Sequence, residues 1–113
     1  MAIKERDCPK CSFTPLVRKT VGFDLDECPK CGGRWYDLGE LSKSVRATKK
    51  FQDAVAKGPL KPKPGVAICP VCHKNMINAG LVHELLRVDL CPSCKGIWLD
   101  KNELGLIDRL LQP

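Results

Sequence analysis

"CPKCGGRWYDLGEL" at residues 28–41 and "CPSCKGIWLDKNEL" at residues 91–104 are one stretch written twice. Cys, Pro, Cys, Gly, Trp, Asp, Glu and Leu recur in the same order and at the same spacing. A repeat inside a chain of 113 residues divides it into two small units rather than one ordinary domain. Units of that size bury too little apolar surface to fold by burial alone and need a disulfide, a metal or a partner.

Eight cysteines can supply that support. The N-terminus "MAIKERDCPK" carries charges where a secretion signal would carry an apolar run, and no long apolar stretch follows, so the expected compartment is the cytoplasm. Thiols stay reduced there, and the cysteines read as metal ligands rather than as four disulfides.

The pairs stand as C-x2-C-x16-C-x2-C in the first unit and C-x2-C-x18-C-x2-C in the second. Two cysteines three apart in a tight turn can grip one ion while a hairpin brings the second pair opposite, which suits tetrahedral zinc. The predicted ligands are Cys8, Cys11, Cys28 and Cys31 for one ion and Cys69, Cys72, Cys91 and Cys94 for the other. A proline follows the first cysteine of every pair and fixes φ in the turn. Gly33 and Gly96 suit a left-handed or close-packed backbone. A thioredoxin-like reading of CPxC lacks the βαβ frame that chemistry uses.

Between the paired cysteines the pattern is extended. Phe23 and Leu25 alternate with Asp24 and Asp26, and Val88 and Leu90 with Arg87 and Asp89, with turns expected at Val21-Gly22 and near Ala79-Gly80. After the last cysteine of unit one, Leu38, Leu41, Val45 and Val55 follow a helical period that could run to Lys57, before "GP" at 58–59. Lys43, Arg46, Lys50 and Lys57 project on the opposite side. "GPLKPKPG" at 58–65 reads as a stiff polyproline-type linker. A second helix carries Leu104, Ile107 and Leu111 on one face, and Pro113 closes the chain.

Asp37 and Asp100 stand three residues before Glu40 and Glu103, the spacing of a capping box at a helix start. A catalytic carboxylate pair is the alternative that helix geometry makes unnecessary. Trp35 and Trp98 are expected to be buried against their hairpins, the alternative being a platform for nucleobases. His73 and His83 have no counterpart in the first repeat and are not expected to bind metal. No open three-ligand zinc site, phosphate loop or nucleophile with a repeated base is evident, so no enzymatic activity and no small-molecule substrate are expected.

The net charge of +6 is local. Between residues 42 and 65, Lys43, Arg46, Lys49, Lys50, Lys57, Lys61 and Lys63 face the single acid Asp53, and the remainder of the chain is balanced. Eight thiolates holding two dications would lower the total by four, leaving a basic bridge between mildly negative ends.

CPxC, a hairpin-length insert and CPxCxGxWxDxxEL together resemble the bacterial and archaeal zinc-finger family named for the transcription factor IIB zinc ribbon. The resemblance covers about 7–41 and 68–104. It implies a small metal-stabilised α+β fold of two tandem zinc ribbons, each a hairpin plus a helix with one Zn2+ on four cysteines. Ser12 and His73 depart from it where glycine is common, as does Lys95 in place of Gly32. The domains expected are ribbon one at 1–41, an amphipathic basic helix at 42–57, a Pro/Lys linker at 58–65, and ribbon two with its C-terminal helix at 66–113.

The expected function is a non-enzymatic zinc-binding adaptor, with the seven basic residues contacting nucleic acid or its transcription or translation machinery. The alternatives are a protein-interaction module that could self-associate, in which the apolar side of the central helix docks a partner, and a four-cysteine iron electron carrier. No membrane partner is expected.

Overall fold

The structure, a computed structural model, describes residues 6–20, 22 and 24–111. Val21, Phe23 and Pro113, named above for a turn, an alternating pattern and the chain's end, lie outside them. Ten elements follow in order: β1 (Val17–Thr20), β2 (Asp24–Glu27), β3 (Arg34–Tyr36), α1 (Glu40–Ser44), α2 (Thr48–Val55), β4 (Leu60–Ile68), β5 (Asn75–Leu81), β6 (His83–Leu90), β7 (Ile97–Leu99) and α3 (Glu103–Leu111). The strands form one antiparallel sheet ordered β1-β2-β3-β7-β6-β5-β4. The two repeats are therefore halves of a single sheet, joined where β3 pairs with β7.

At that seam the tryptophan meets its own counterpart, and the residues on either side of it meet each other's counterparts. Trp35 faces Trp98, Arg34 faces Leu99 and Tyr36 faces Ile97, an arrangement with approximate twofold symmetry. The register extends into a row across four strands, Asp26, Trp35, Trp98 and Asp89. Both tryptophans are completely buried. Each lies over the glycine of the opposite repeat: a methyl group on Gly33 would sit 2.2 Å from Cζ2 of Trp98, and one on Gly96 would sit 2.1 Å from Cζ2 of Trp35. Close packing, rather than left-handed backbone, is what these two glycines provide.

Both faces of the sheet are covered. On one side Leu25, Tyr36, Val88 and Leu99 pack with Leu41, Val45, Phe51, Ile107 and Leu111 from the helices. On the other, the tryptophans, Met76 and Ala67 pack among the cysteines.

The single helix expected over 42–57 is two helices. Val45 takes an extended conformation (φ −83°, ψ 149°) between α1 and α2. Val45 and Phe51 are six residues apart, which would set them about 120° apart on a straight helix; the break lets both reach the core, where they are 4% exposed. Leu41, Val45 and Phe51 of the expected docking side thus pack with α3 and the sheet, while Val55 is only partly buried and lines a surface hollow. Leu38, expected on the inner side, precedes the helix and is 71% exposed.

The expected linker at 58–65 is mostly strand β4 at the sheet edge, paired with β5 through Lys63 to Asn78 and Pro64 to Ile77. An edge strand tolerates Pro62 and Pro64 because one side of it needs no ladder partner. Arg87 holds the irregular start of this strand, its Nη2 donating to Lys61 O at 2.8 Å and its Nη1 to Leu60 O at 3.3 Å. The second hairpin turns at Val82 (φ 70°), two residues beyond Gly80, in the region expected around Ala79-Gly80. Gly80 lies within β5, where a methyl group would meet Glu84 Cα at 2.6 Å.

Gly33→Ala and Gly96→Ala should each lower the unfolding free energy by about 1–3 kcal/mol through overpacking against the indole. Gly105→Ala, in α3 with open space around it, should raise it by about 0.5–1 kcal/mol. Urea unfolding of the zinc-loaded protein reads both signs.

Candidate metal centres

Each centre is built from two turns supplied by different parts of the sheet. Cys8 and Cys11 precede β1, and Cys28 and Cys31 join β2 to β3; Cys69 and Cys72 join β4 to β5, and Cys91 and Cys94 join β6 to β7. In each turn the first cysteine's N–H donates to a carbonyl beyond the second: Cys8 to Thr14, Cys28 to Gly33, Cys69 to Lys74 and Cys91 to Gly96, at 2.8–3.0 Å. Phe13, Gly32, His73 and Lys95 occupy the left-handed positions that close these turns, with φ between 53° and 77°. The three residues other than glycine are strained there, because their Cβ crowds the backbone.

The predicted ligand sets are brought together as Cys8, Cys11, Cys28, Cys31 and as Cys69, Cys72, Cys91, Cys94, with all sulfurs of a set within 4.8 Å of one another. Cys8 Sγ lies 3.8 Å from Cys31 Sγ, and Cys69 Sγ lies 3.7 Å from Cys94 Sγ. A disulfide would need about 2.05 Å, and all eight cysteines are free thiols. A tetrahedral ion with metal–sulfur bonds of about 2.3 Å separates its ligands by about 3.8 Å, so the donor sets fit two zinc ions.

Backbone dipoles prepare the sulfurs for metal. Cys28 Sγ accepts from the N–H groups of Lys30 and Cys31, and Cys69 Sγ from those of Val71 and Cys72. Burial opposes ionisation of Cys28, but those N–H groups and the neighbouring thiols outweigh it and bring its pKa down to about 7. Cys91 is brought to about 7 in the same way, against burial, by the N–H groups of Cys94 and Ser93. Burial pushes Cys8, Cys11 and Cys69 up, and Cys94 up to about 12. Each metal-free centre therefore offers one sulfur that ionises readily beside others that hold their protons.

The acids of the repeat do something other than build capping boxes. Asp37 Oδ1 accepts the Trp35 indole N–H at 3.1 Å and Asp100 Oδ1 that of Trp98 at 3.0 Å. Only the glutamate arm of a box forms, and only in the second unit, where Glu103 Oε1 accepts from Asp100 N–H. Glu40 instead accepts from the N–H of Asp24, because Gly39 in a left-handed conformation starts α1 without a side-chain cap. His73 is exposed, and His83 Nδ1 accepts from Leu85 N–H; neither joins a metal set.

A buried charge network escapes a reading by alternation. Asp26 and Asp89 are 4% and 5% exposed. Arg6 bridges Asp26 and Asp37 at 2.8 and 2.9 Å, and Arg18 meets Asp26 at 2.8 Å. In the second unit Ala67 aligns with Arg6, and Lys10 of the first unit reaches across to Asp89 at 2.9 Å. The detectable signal is D-x-C, which stands before both closing pairs at Asp26 and Asp89.

The basic residues do not share one helix face. Lys43 lies on α1, Arg46 in the break, Lys49 and Lys50 on α2, Lys57 beyond it, and Lys61 and Lys63 on β4. All seven are exposed. Lys43 pairs with Glu40 at 3.2 Å and Lys61 with Glu84 at 3.1 Å; the other five meet no acid side chain among the described residues.

A family model described as transcription factor zinc-finger matches residues 7–47 and 68–110, and the chain belongs to that family. The two matched stretches hold β1–β3 and β5–β7 with all eight cysteines, β4 lying outside them but for Ile68, and membership assigns the four-cysteine centres to zinc rather than to an iron carrier. No curated protein and no solved structure matches the chain. No described helix is long and apolar enough to cross a membrane.

Zinc removal by a strong chelator should abolish the cooperative unfolding transition and shift tryptophan emission to the red, since both indoles pack among the ligands. Zinc affinity should fall on acidification, because protons compete for the thiolates. The metal-free chain, lacking its fold, binds zinc with cysteines of ordinary pKa, about 8.5, so each ion displaces several protons. Log affinity should therefore fall by more than about one per pH unit below pH 7, which competition titration with a chromophoric chelator measures.

Proposed function

We propose that this member of the transcription factor zinc-finger family is a non-enzymatic adaptor that contacts nucleic acid, or a complex built on it, through its central basic segment. The observation that carries the reading is the exposure of all seven basic side chains between residues 42 and 65, on two helices, the turns that flank α2 and an edge strand of the zinc-bearing sheet. Zinc would act structurally: four thiolates fill its coordination and leave no position for water or substrate.

Phosphate recognition needs cations that are free to move toward it. The pairs made by Lys43 and Lys61 are solvent-exposed, are worth about 0–1 kcal/mol and yield readily to a stronger anion. Arg46 is held by its backbone, whose N–H donates to Asp108 Oδ1 at 3.0 Å, leaving the guanidinium outward. Contacts of this kind position a backbone without reading bases, so little sequence preference is expected. With Trp35 and Trp98 fully buried, stacking on nucleobases is not part of the mechanism.

Labelled single- and double-stranded DNA and RNA titrated at several salt concentrations test the reading. The logarithm of affinity should fall linearly with the logarithm of salt, by about 0.7–0.9 per phosphate contacted. Arg46→Glu with Lys49→Glu and Lys63→Glu should reduce both affinity and slope with zinc content unchanged. Equal binding by the triple variant would refute the assignment.

A further inference from the structure

The approximate twofold makes the same hollow twice, and the two versions differ in chemistry. One, of about 520 Å³, is lined by Glu27, Arg34, Asp100, Lys101 and Asn102 beside Tyr36 and Leu99. Its counterpart lies between α2 and the β5–β6–β7 part of the sheet, as two adjoining hollows of about 290 and 260 Å³ that share Val55, Leu81, Lys95 and Ile97. At repeat-equivalent positions Glu27 becomes Leu90, Arg34 becomes Ile97 and Lys101 becomes Leu38. The polar version demonstrates that the sheet folds without apolar side chains there.

Part of the change seats α2, since Leu90, Ile97 and Val55 pack against the core. The remainder does not. Leu38 is 71% exposed at the mouth of one hollow, and Pro92 is exposed in the other. Lys95 lines both, is exposed, and pairs with no acid among the described residues. Lys57 is exposed beside Gly58, which lines the second hollow. Asp37, the one acid on the lining, is neutralised by Arg6 at 2.9 Å.

We propose that this double hollow is a docking site for a short acidic amphipathic segment of a partner protein, which seats two large apolar side chains and sets carboxylates against Lys95 and Lys57. Each hollow has room for one leucine or aromatic side chain. Apolar anchors carry the affinity in such helix-in-groove contacts, and charge at the rim sets orientation and rejects basic competitors. Phe51, Val55 and Gly58 of the central segment line this groove, but of the basic side chains proposed to meet nucleic acid only Lys57 stands beside it.

The test uses the zinc-loaded full chain and three synthetic helix-forming peptides. One carries Leu and Phe four residues apart with flanking glutamates, one has serine at both anchors, and one has lysines in place of the glutamates. The glutamate peptide should bind, with amide shifts confined to residues 37–42, 51–59, 77–81 and 90–97. The serine peptide should not bind, and the lysine peptide should bind at least about tenfold more weakly. Lys95→Glu should remove the preference for the acidic peptide, and Leu38→Glu should weaken binding about tenfold. Leu38 is exposed and lies outside the zinc turns, so in Leu38→Glu zinc content and the unfolding midpoint should stay unchanged and separate loss of binding from loss of fold. Lys95 closes a zinc turn, and Lys95→Glu is read only on protein measured to hold two zinc ions. No binding of the glutamate peptide, or equal binding by both variants, would overturn the proposal. So would concentration-dependent self-association that Leu38→Glu abolishes, because the groove would then belong to a second copy.

Discussion

The reciprocal packing of each tryptophan on the other repeat's glycine is the contact on which the architecture depends. Within one repeat, the glycine two positions after the closing cysteine and the tryptophan two positions further on read as parts of a local turn. In the folded chain they are complementary surfaces. The indole of one half occupies the space that a methyl group on the other half would need, and does so on both sides of the seam. Two fully buried tryptophans remove roughly 150–250 Å² each from water. That is a large part of the apolar burial open to so short a chain, and it is concentrated at the one place where the halves meet.

Zinc and this seam support each other. The closing pair of cysteines in each unit lies on the connection that leads directly into β3 or β7, so the ion sets the start of the very strand that crosses the seam. The tryptophans in turn pack among the cysteines and help exclude water from the sulfurs. Two ions and one interface thus replace the two separate cores that units of this size could not build. The inter-unit ion pair of Lys10 with the buried Asp89 belongs to the same economy. Ala67 leaves the second unit without the arginine that serves Asp26, and the first unit supplies the missing cation.

The local frame was legible in the sequence because local chemistry produces it. Cysteine spacing identified both ligand sets, and the apolar period through Leu104, Ile107 and Leu111 placed α3. What stayed hidden depends on contacts between units. Val45 and Phe51 do not share one side of a straight helix, and the surface that draws both inward is supplied by the sheet and α3. "GPLKPKPG" contains nothing that favours a central strand, and β4 forms because β5 presents an edge and Arg87 holds its first carbonyls. Asp26 and Asp89 alternate as solvent-facing residues would, but the face they occupy is covered by the knuckles and neutralised from Arg6, Arg18 and Lys10. Gly80 marks a close approach near a turn rather than the turn itself.

Every residue shared by the two copies has a structural assignment. The cysteines and proline form the knuckle, glycine and tryptophan form the seam, and aspartate receives the indole N–H. Glutamate accepts a backbone N–H at the helix start, and leucine packs toward the core as Leu41 and Leu104. Nothing in the repeat is left over for a partner. The recognition proposed above draws on what the two halves do not share: the basic segment, which has no counterpart in the second half, and the groove positions where Leu38, Leu90 and Ile97 stand in place of Lys101, Glu27 and Arg34. Duplication with closure into a single sheet lets these positions differ, because the polar set in one half and the apolar set in the other both leave the knuckles and the tryptophan–glycine contacts in place.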